Sequence, residues 1–405
     1  MHQTAKTLIQ IEDELNSYFL ERVDLIRACM LALLSGQNMF VIGGPGTGKS
    51  ATIDSLMDCI LSARKFSIGL SKTRPAAAVL GPVDVKEYRE TGNYFHKRAG
   101  YATDVELAKF DEVGKMAATL GHDLLHLLEE RVYHEVRDGE SKHKAPLSTA
   151  FTTSNEMITE ESDDAAAMWD RLPIRVVVDY LKSSKNFAKL LASDEDYEVQ
   201  TTIEWEELKH AIDVEVPAIK MSDEALRGMV KLRTDLLRTH HIEPGDRRFK
   251  KAVRILKANA FLDGRSEVTK ADLGVLRFIL WDTIEQHDKI HEVCLEASNP
   301  FVKGLNEIKS QLQEIASGVK DRETGDAGSK WQYGKEASDK LTKVRDRLDT
   351  MLMEAQGQPI PGFKIVSDLH EEVMIQTFMT CLDQSRDVAT VAASKKLGSG
   401  DGGNR

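Results

Sequence analysis

Cysteine is scarce and scattered. Cys29, Cys59, Cys294 and Cys381 are the four in 405 residues, and no two stand at metal-ligand spacing. This excludes a disulfide scaffold and a thiolate metal site, and it suits buried thiols in a reducing compartment. Long apolar runs are missing too: none approaches the roughly 20 residues that span a bilayer. The first 30 residues hold Glu12, Asp13, Glu14 and Glu21 and lack the basic-then-apolar order of a signal peptide. The expectation is a cytoplasmic protein with no membrane insertion. Basic residues are outnumbered, 54 Lys and Arg against 65 Asp and Glu, a net charge of −11. That argues against a general nucleic-acid coat while leaving room for a local basic patch or pore. Aromatics make up 6%, few for base stacking. What is present is ordinary for a globular chain, 41% hydrophobic and 29% charged, with length for two or three domains.

The most informative stretch is Gly43-Gly44-Pro45-Gly46-Thr47-Gly48-Lys49-Ser50, which follows the apolar run Met39-Phe40-Val41-Ile42. Strand, glycine loop and helix in that order are the context of a phosphate-binding loop. Glycines let successive N–H groups turn inward around phosphate oxygens, and the helix that opens at Lys49, Ser50 and Ala51 adds its positive dipole end. Lys49 is the point charge for the outer phosphates and Ser50 a hydroxyl ligand for magnesium. Residues 43–51 are therefore the candidate site for ATP with Mg²⁺. A bare glycine turn would not account for lysine and serine at those two positions.

Residues 1–36 read as helical. Strand candidates follow at 38–42, 65–70, 105–110, 147–154 and 175–179, separated by helical stretches at 51–63, 114–131 and 163–171. Strands alternating with helices predict an α/β fold with a parallel sheet covered on both faces. Residues 133–145, polar and carrying Asp138-Gly139, read as an inserted hairpin. From 222 to about 291 helices alone are expected, at 225–239, 248–262 and 270–286. Val302, Leu305, Ile308, Leu312, Ile315 and Val319, then Leu341, Val344, Leu348 and Leu352, recur at spacings of three and four. This predicts a long antiparallel helical hairpin or coiled coil, turning at 321–329. Pro359 and Pro361 interrupt the pattern, 366–383 resumes as helix, and 398–405 is expected to be disordered.

Asp111-Glu112 ends a strand candidate 62 residues after Lys49. On a strand beside the one that feeds the loop, Asp111 would hold the metal and Glu112 would polarise the attacking water as general base. Lys109 is a misfit in that strand. It is expected either to snorkel past the sheet edge or to mark a boundary off by a residue or two. Asn155, ending the fourth strand, offers an amide to the water or to the terminal phosphate. Its plainer reading is a turn or cap asparagine. Arg171, after Trp169-Asp170, is a candidate arginine finger for a neighbouring subunit, with Arg175 as its rival. Asp246-Arg247-Arg248 opens a helix from which either arginine reaches the terminal phosphates on the lid side.

Together these residues resemble the MoxR branch of the AAA+ ATPases, and within it the RavA-like group. Leu80-Gly81-Pro82-Val83-Asp84 with Tyr88, Gly92 and Tyr94 is similar to the family's segment before the Walker B strand, as are Gly100-Tyr101 to its approach. Asp111 to Lys115, Leu127-Leu128-Glu129-Glu130-Arg131, Ser154-Asn155-Glu156, Trp169-Asp170-Arg171 and Asp246 to Ala252 resemble, in order, its acid pair, post-Walker helix, sensor 1, finger turn and sensor 2. Phe261 to Arg265, followed by Val268-Thr269, fits as well. The resemblance covers about residues 5–290. It implies an AAA+ core (1–195) with a five-stranded sheet in order 5-1-4-3-2, a helical lid (196–298) and ring assembly, usually hexameric. The extension (299–390) and tail (391–405) lie beyond it. It also implies an ATP-driven, chaperone-like remodeller of other proteins, often partnered by a von Willebrand factor A domain protein. Lys109 departs from the family pattern, and the segment after Asn299 has no clear counterpart in it.

Three other readings compete. A nucleic-acid motor or loader shares the loop, acids and sensors, and His134, Arg137, Lys142, His143 and Lys144 of the hairpin would line its pore. A small-molecule kinase would need an acceptor site that nothing after Asn155 suggests. A scaffold without turnover conflicts with intact Lys49, Asp111, Glu112 and Arg171.

Overall fold

A computed structural model describes residues 3–116, 118–137, 140–157, 163–192, 197–299, 301–321 and 327–355. The chain divides into two compact units, Met1–Cys294 and the part from Leu295 on. Cys381, Asp138-Gly139, Pro359, Pro361 and the expected helix at 366–383 lie outside the described residues.

The first unit is built on five parallel strands: β1 (Met39–Gly43), β2 (Lys65–Gly69), β3 (Leu107–Asp111), β4 (Thr149–Ser154) and β5 (Ile174–Val178). Their order is β2-β3-β4-β1-β5, the expected 5-1-4-3-2. Met39 pairs with Phe151 on one side and Ile174 on the other, so the strand ends are aligned. Both faces are covered, which is why Met39, Phe40, Val41 and Ile42 are all buried without alternation. Parallel strands carry their C-terminal ends to one edge. Gly43, Asp111 and Ser154 therefore meet there although they are far apart in the chain.

Two helices, α1 (Gln3–Tyr18) and α2 (Val23–Ser35), precede the sheet. α2 is apolar nearly all round because it is nearly all buried, and it stops at Gly36, whose φ of 59° ends the helix in the left-handed conformation. α3 (Lys49–Asp58) follows the loop, and α4 (Ala118–Glu129) and α5 (Asp163–Asp170) follow β3 and β4. The inserted hairpin forms from Val132–Arg137 and Glu140–Lys144.

The lid comprises α6 (Asp223–His240), α7 (Asp246–Leu262) and α8 (Ile284–Ser298). It is not wholly helical, since Lys220–Met221 pairs with Glu267–Val268. The helix expected over 270–286 is broken as well: Lys270–Phe278 is a 3₁₀ turn run, and α8 begins only at Ile284. Trp281 lies in the interruption. It is fully buried, and its carbonyl accepts from Arg175 of β5, which anchors the chain at the break between the two segments. Lid and core are tied by Arg27 of α2, which pairs with Glu12 at 2.9 Å and Asp263 at 2.5 Å and donates to Asn259.

Arg175 is a second tie. Its guanidinium donates to the carbonyls of Leu172 (3.0 Å), Trp169 (2.9 Å) and Trp281 and to Asp282 (3.0 Å), and it stacks 3.9 Å over the Trp169 ring. Burial, helped by nearby Arg248, pushes its pKa down to about 9. Arg175→Met should lower stability by about 3 kcal/mol, because buried acceptors lose their donor. The check is a lower urea midpoint at unchanged slope.

The second unit holds α9 (Phe301–Asp321) and α10 (Ala327–Ala355), packed as a helical hairpin. Phe301, Leu305, Ile308, Leu312 and Ile315 meet Ala337, Leu341, Val344, Leu348 and Met351 in a core of their own. The alternating steps of four and three put these residues on one stripe of each helix.

Candidate nucleotide site

The loop between β1 and α3 owes its shape to glycine. Gly46 and Gly48 have φ of 74° and 79°, and a β-carbon on Gly43 would lie 2.2 Å from the Val178 carbonyl oxygen. Lys49 opens α3 and turns back over the loop. Its Nζ donates to the carbonyls of Gly43 (2.7 Å) and Gly44 (2.8 Å) and to Asn155 Oδ1 (3.0 Å). Burial depresses its pKa, opposed by Glu112 and Asp111.

Asn155 follows β4 and joins two of the expected residues. While its Oδ1 accepts from Lys49, its Nδ2 donates to Glu112 Oε1 at 2.5 Å. Glu112 lies just past β3 with φ 59°, a left-handed conformation rare for glutamate, and Lys115 pairs with its other oxygen at 3.1 Å. Strain of this kind gathers at functional sites.

Asp111 Oδ1 accepts from Ser50 Oγ and Thr153 Oγ1, both at 2.8 Å. These are hard oxygen donors of the kind that suit magnesium, which keeps much of its water and needs few protein ligands. Among the described residues no group of three or more His, Cys, Asp or Glu forms a metal cage. Lys109 does not snorkel past the sheet edge. It lies within β3, its side chain 4% exposed, between Asp54 and Asp111.

Lys49, Ser50, Asp111, Glu112 and Asn155 thus form one connected cluster at the C-terminal edge of the sheet. Arg171 is at the other end. Its carbonyl accepts from Asn38 Nδ2, just before β1, and the five residues of β1 span about 16 Å. Among the described residues the Arg171 side chain makes one hydrogen bond, from Nη1 to the Ala167 carbonyl. Its rival Arg175 has donors engaged on every nitrogen, as described above. Arg247 lies near the Arg171 end. Rather than approaching Lys49, it pairs with Asp170 at 3.1 Å and with Glu129, and Lys251 donates to Glu129 and to the Asp170 carbonyl. Arg248 is held by Asp282 at 2.6 Å.

Sequence reasoning missed two residues that grip the loop. Arg22 Nε donates to the Thr47 carbonyl at 2.9 Å, and Tyr180 Oη to the Pro45 carbonyl at 3.1 Å. With Glu21, Val23 and Lys182 they line a cleft of about 340 Å³ beside the loop. Neither carries a motif. The one available signal is position: Arg22 fills the break between two helices, and Tyr180 follows the end of β5.

Residues 6–216 match the family model for the MoxR domain in the MoxR-vWA-beta-propeller ternary systems. The chain belongs to the MoxR family of AAA+ ATPases. An AAA lid domain matches residues 224–294 of this MoxR-type ATPase. It is 31% identical to the uncharacterized protein MJ0079 of Methanocaldococcus jannaschii over 320 residues, 79% of this chain and 82% of that protein. It is also 31% identical to MJ0812 of the same organism, over 77% of this chain and 82% of that one. The crystal structure of a Cytophaga hutchinsonii protein provisionally named an ATPase shares the fold, with TM-score 0.57 and 16% identity, covering 73% of this chain and 94% of the other. Nucleotide binding and ATPase activity follow from membership. The match to a MoxR model does not extend to the RavA-like group in particular. Among the described residues no helix is long and apolar enough to cross a membrane.

Proposed function

We propose that this MoxR-type ATPase assembles into a ring, hydrolyses ATP with Mg²⁺ at the edge of its sheet, and uses the cycle to remodel a protein partner. The observation that carries the reading is the cluster of Lys49, Ser50, Asp111, Glu112 and Asn155, with Arg171 and Arg247 set about a strand's length away.

The roles follow from chemistry. Lys49 and the loop's N–H groups between Gly43 and Ala51, Pro45 having none, bind the phosphates, and the cleft at Arg22 and Tyr180 takes the rest of the nucleotide. Ser50 and Asp111 would hold magnesium, which when bound neutralises phosphate charge. Glu112 accepts a proton from the attacking water, and Asn155 orients that water against the terminal phosphate. Arg171, too far from its own loop, is read as the finger for a neighbour's nucleotide, with Arg247 beside it. The matched family's description names von Willebrand factor A domain systems, which supports a partner of that kind. A nucleic-acid motor is less well supported, because the hairpin's Lys142 is engaged by Glu130, and His143 contacts the Glu135 carbonyl and stacks on Tyr133.

The test is ATPase rate against protein concentration, with particle mass followed in parallel. The rate per subunit should rise steeply as a multi-subunit particle appears, and chelating magnesium should abolish it. A constant rate on a monomer would overturn the ring, and with it the role of Arg171.

A further inference from the structure

A doubly covered parallel strand normally reads as an apolar run, yet β3 carries Lys109 at its centre. The residue is accommodated by a ladder between β3 and α3. Strand alternation sets Lys109 and Asp111 on one face, and the helical repeat sets Ser50 and Asp54 on one side of α3. Ser50 Oγ donates to Asp111 Oδ1 at 2.8 Å, and Lys109 Nζ donates to Asp54 Oδ2 at 2.5 Å. The ammonium also lies 3.2 Å from Asp111 Oδ2. One oxygen of Asp111 therefore faces two hydroxyls, Ser50 and Thr153, and the other faces a buried cation. Asp54 is the outer member, its side chain 47% exposed.

We propose that Lys109 and Asp54 tune how strongly Asp111 attracts the divalent cation that accompanies the nucleotide. This rests on reading Asp111 as the metal-facing acid. Lys109 holds Asp111 in one orientation and opposes the approach of a second positive charge. Asp54 moderates that effect, because it shares the ammonium and draws it towards solvent. The two residues are positioning residues with opposite signs. Removing the ammonium leaves Asp111 more attractive to a cation. Removing the Asp54 charge leaves the ammonium with Asp111 alone and makes cation binding weaker. A merely structural ion pair has no such split: either change would lower stability, and neither would move metal affinity.

The test uses the full chain with saturating ADP and manganese(II) as probe, with free Mn²⁺ counted by electron paramagnetic resonance. Lys109→Met should tighten Mn²⁺ binding by about tenfold, and Asp54→Asn should weaken it several-fold. Asp111→Asn is the reference. If it leaves Mn²⁺ affinity unchanged, the reading of Asp111 itself fails. If it abolishes binding while the other two variants leave affinity unchanged or shift it in the same direction, the tuning is overturned and the metal assignment stands. Should Lys109→Met not fold, Asp54→Asn at its half-exposed helix position decides alone: unchanged or tighter Mn²⁺ binding overturns the proposal.

Discussion

An Arg171→Ala variant should bind nucleotide as the parent does while turnover per subunit falls by about 10³- to 10⁵-fold, the range for arginine fingers. The geometry separates the two effects. Arg171 lies by Asn38 at the start of β1, a strand's length from Gly43 at its end, so its loss leaves its own loop untouched. Among the described residues its side chain makes one hydrogen bond, to the Ala167 carbonyl, and its Nε has no hydrogen-bond partner. Arg175, in contrast, is tied to four acceptors. The measurement is fluorescent-nucleotide titration beside phosphate release. Mixing Arg171→Ala with Glu112→Gln subunits should restore part of the rate, because intact Arg171 of one protein then faces intact Glu112 of the other. Full turnover by the single variant, or no recovery on mixing, would remove Arg171 from the reaction.

The Glu112→Gln variant should retain ATP and lose about 10²- to 10⁴-fold in hydrolysis, the usual contribution of a positioned base. Glutamine keeps the shape, so the contact with Asn155 survives. It also meets the same left-handed backbone, adding nothing to a strain of about 1–3 kcal/mol that the wild type already carries. The contact with Lys115 weakens, but that lysine is half exposed and such pairs contribute little. Melting temperature should therefore stay near the parent's while phosphate release collapses. Normal hydrolysis by this variant would place the base elsewhere.

Much of the site is local chemistry and could be read directly. The glycine loop announces itself because φ above zero and close strand approach demand glycine at fixed spacing, and apolar strand runs reveal a sheet covered on both faces. The order of the strands came through the family resemblance, since pairing partners are distant in sequence. The remaining misses share one cause, a partner that sequence spacing does not reveal. Lys109 looked out of place because nothing in 105–110 says that Asp54, one helical turn after Ser50, packs across from it. Residues 270–286 keep helical periodicity, and nothing in that spacing says that the chain breaks at Trp281, whose carbonyl meets the distant Arg175. Arg247 was legible as a helix-start arginine, but Glu129 and Asp170 as its partners were not.

The grip of α7 on the end of α5 has a mechanical consequence. Arg247 and Lys251, both in the lid, hold Asp170 by side chain and by carbonyl, and Asp170 directly precedes Arg171. If the proposed ring forms, a lid displaced in one copy would pull on the residue next to the arginine offered to an adjoining copy. Each copy's lid would then be coupled to the nucleotide of one neighbour, and by linkage that nucleotide would bias the lid in return, so the sites would not act independently.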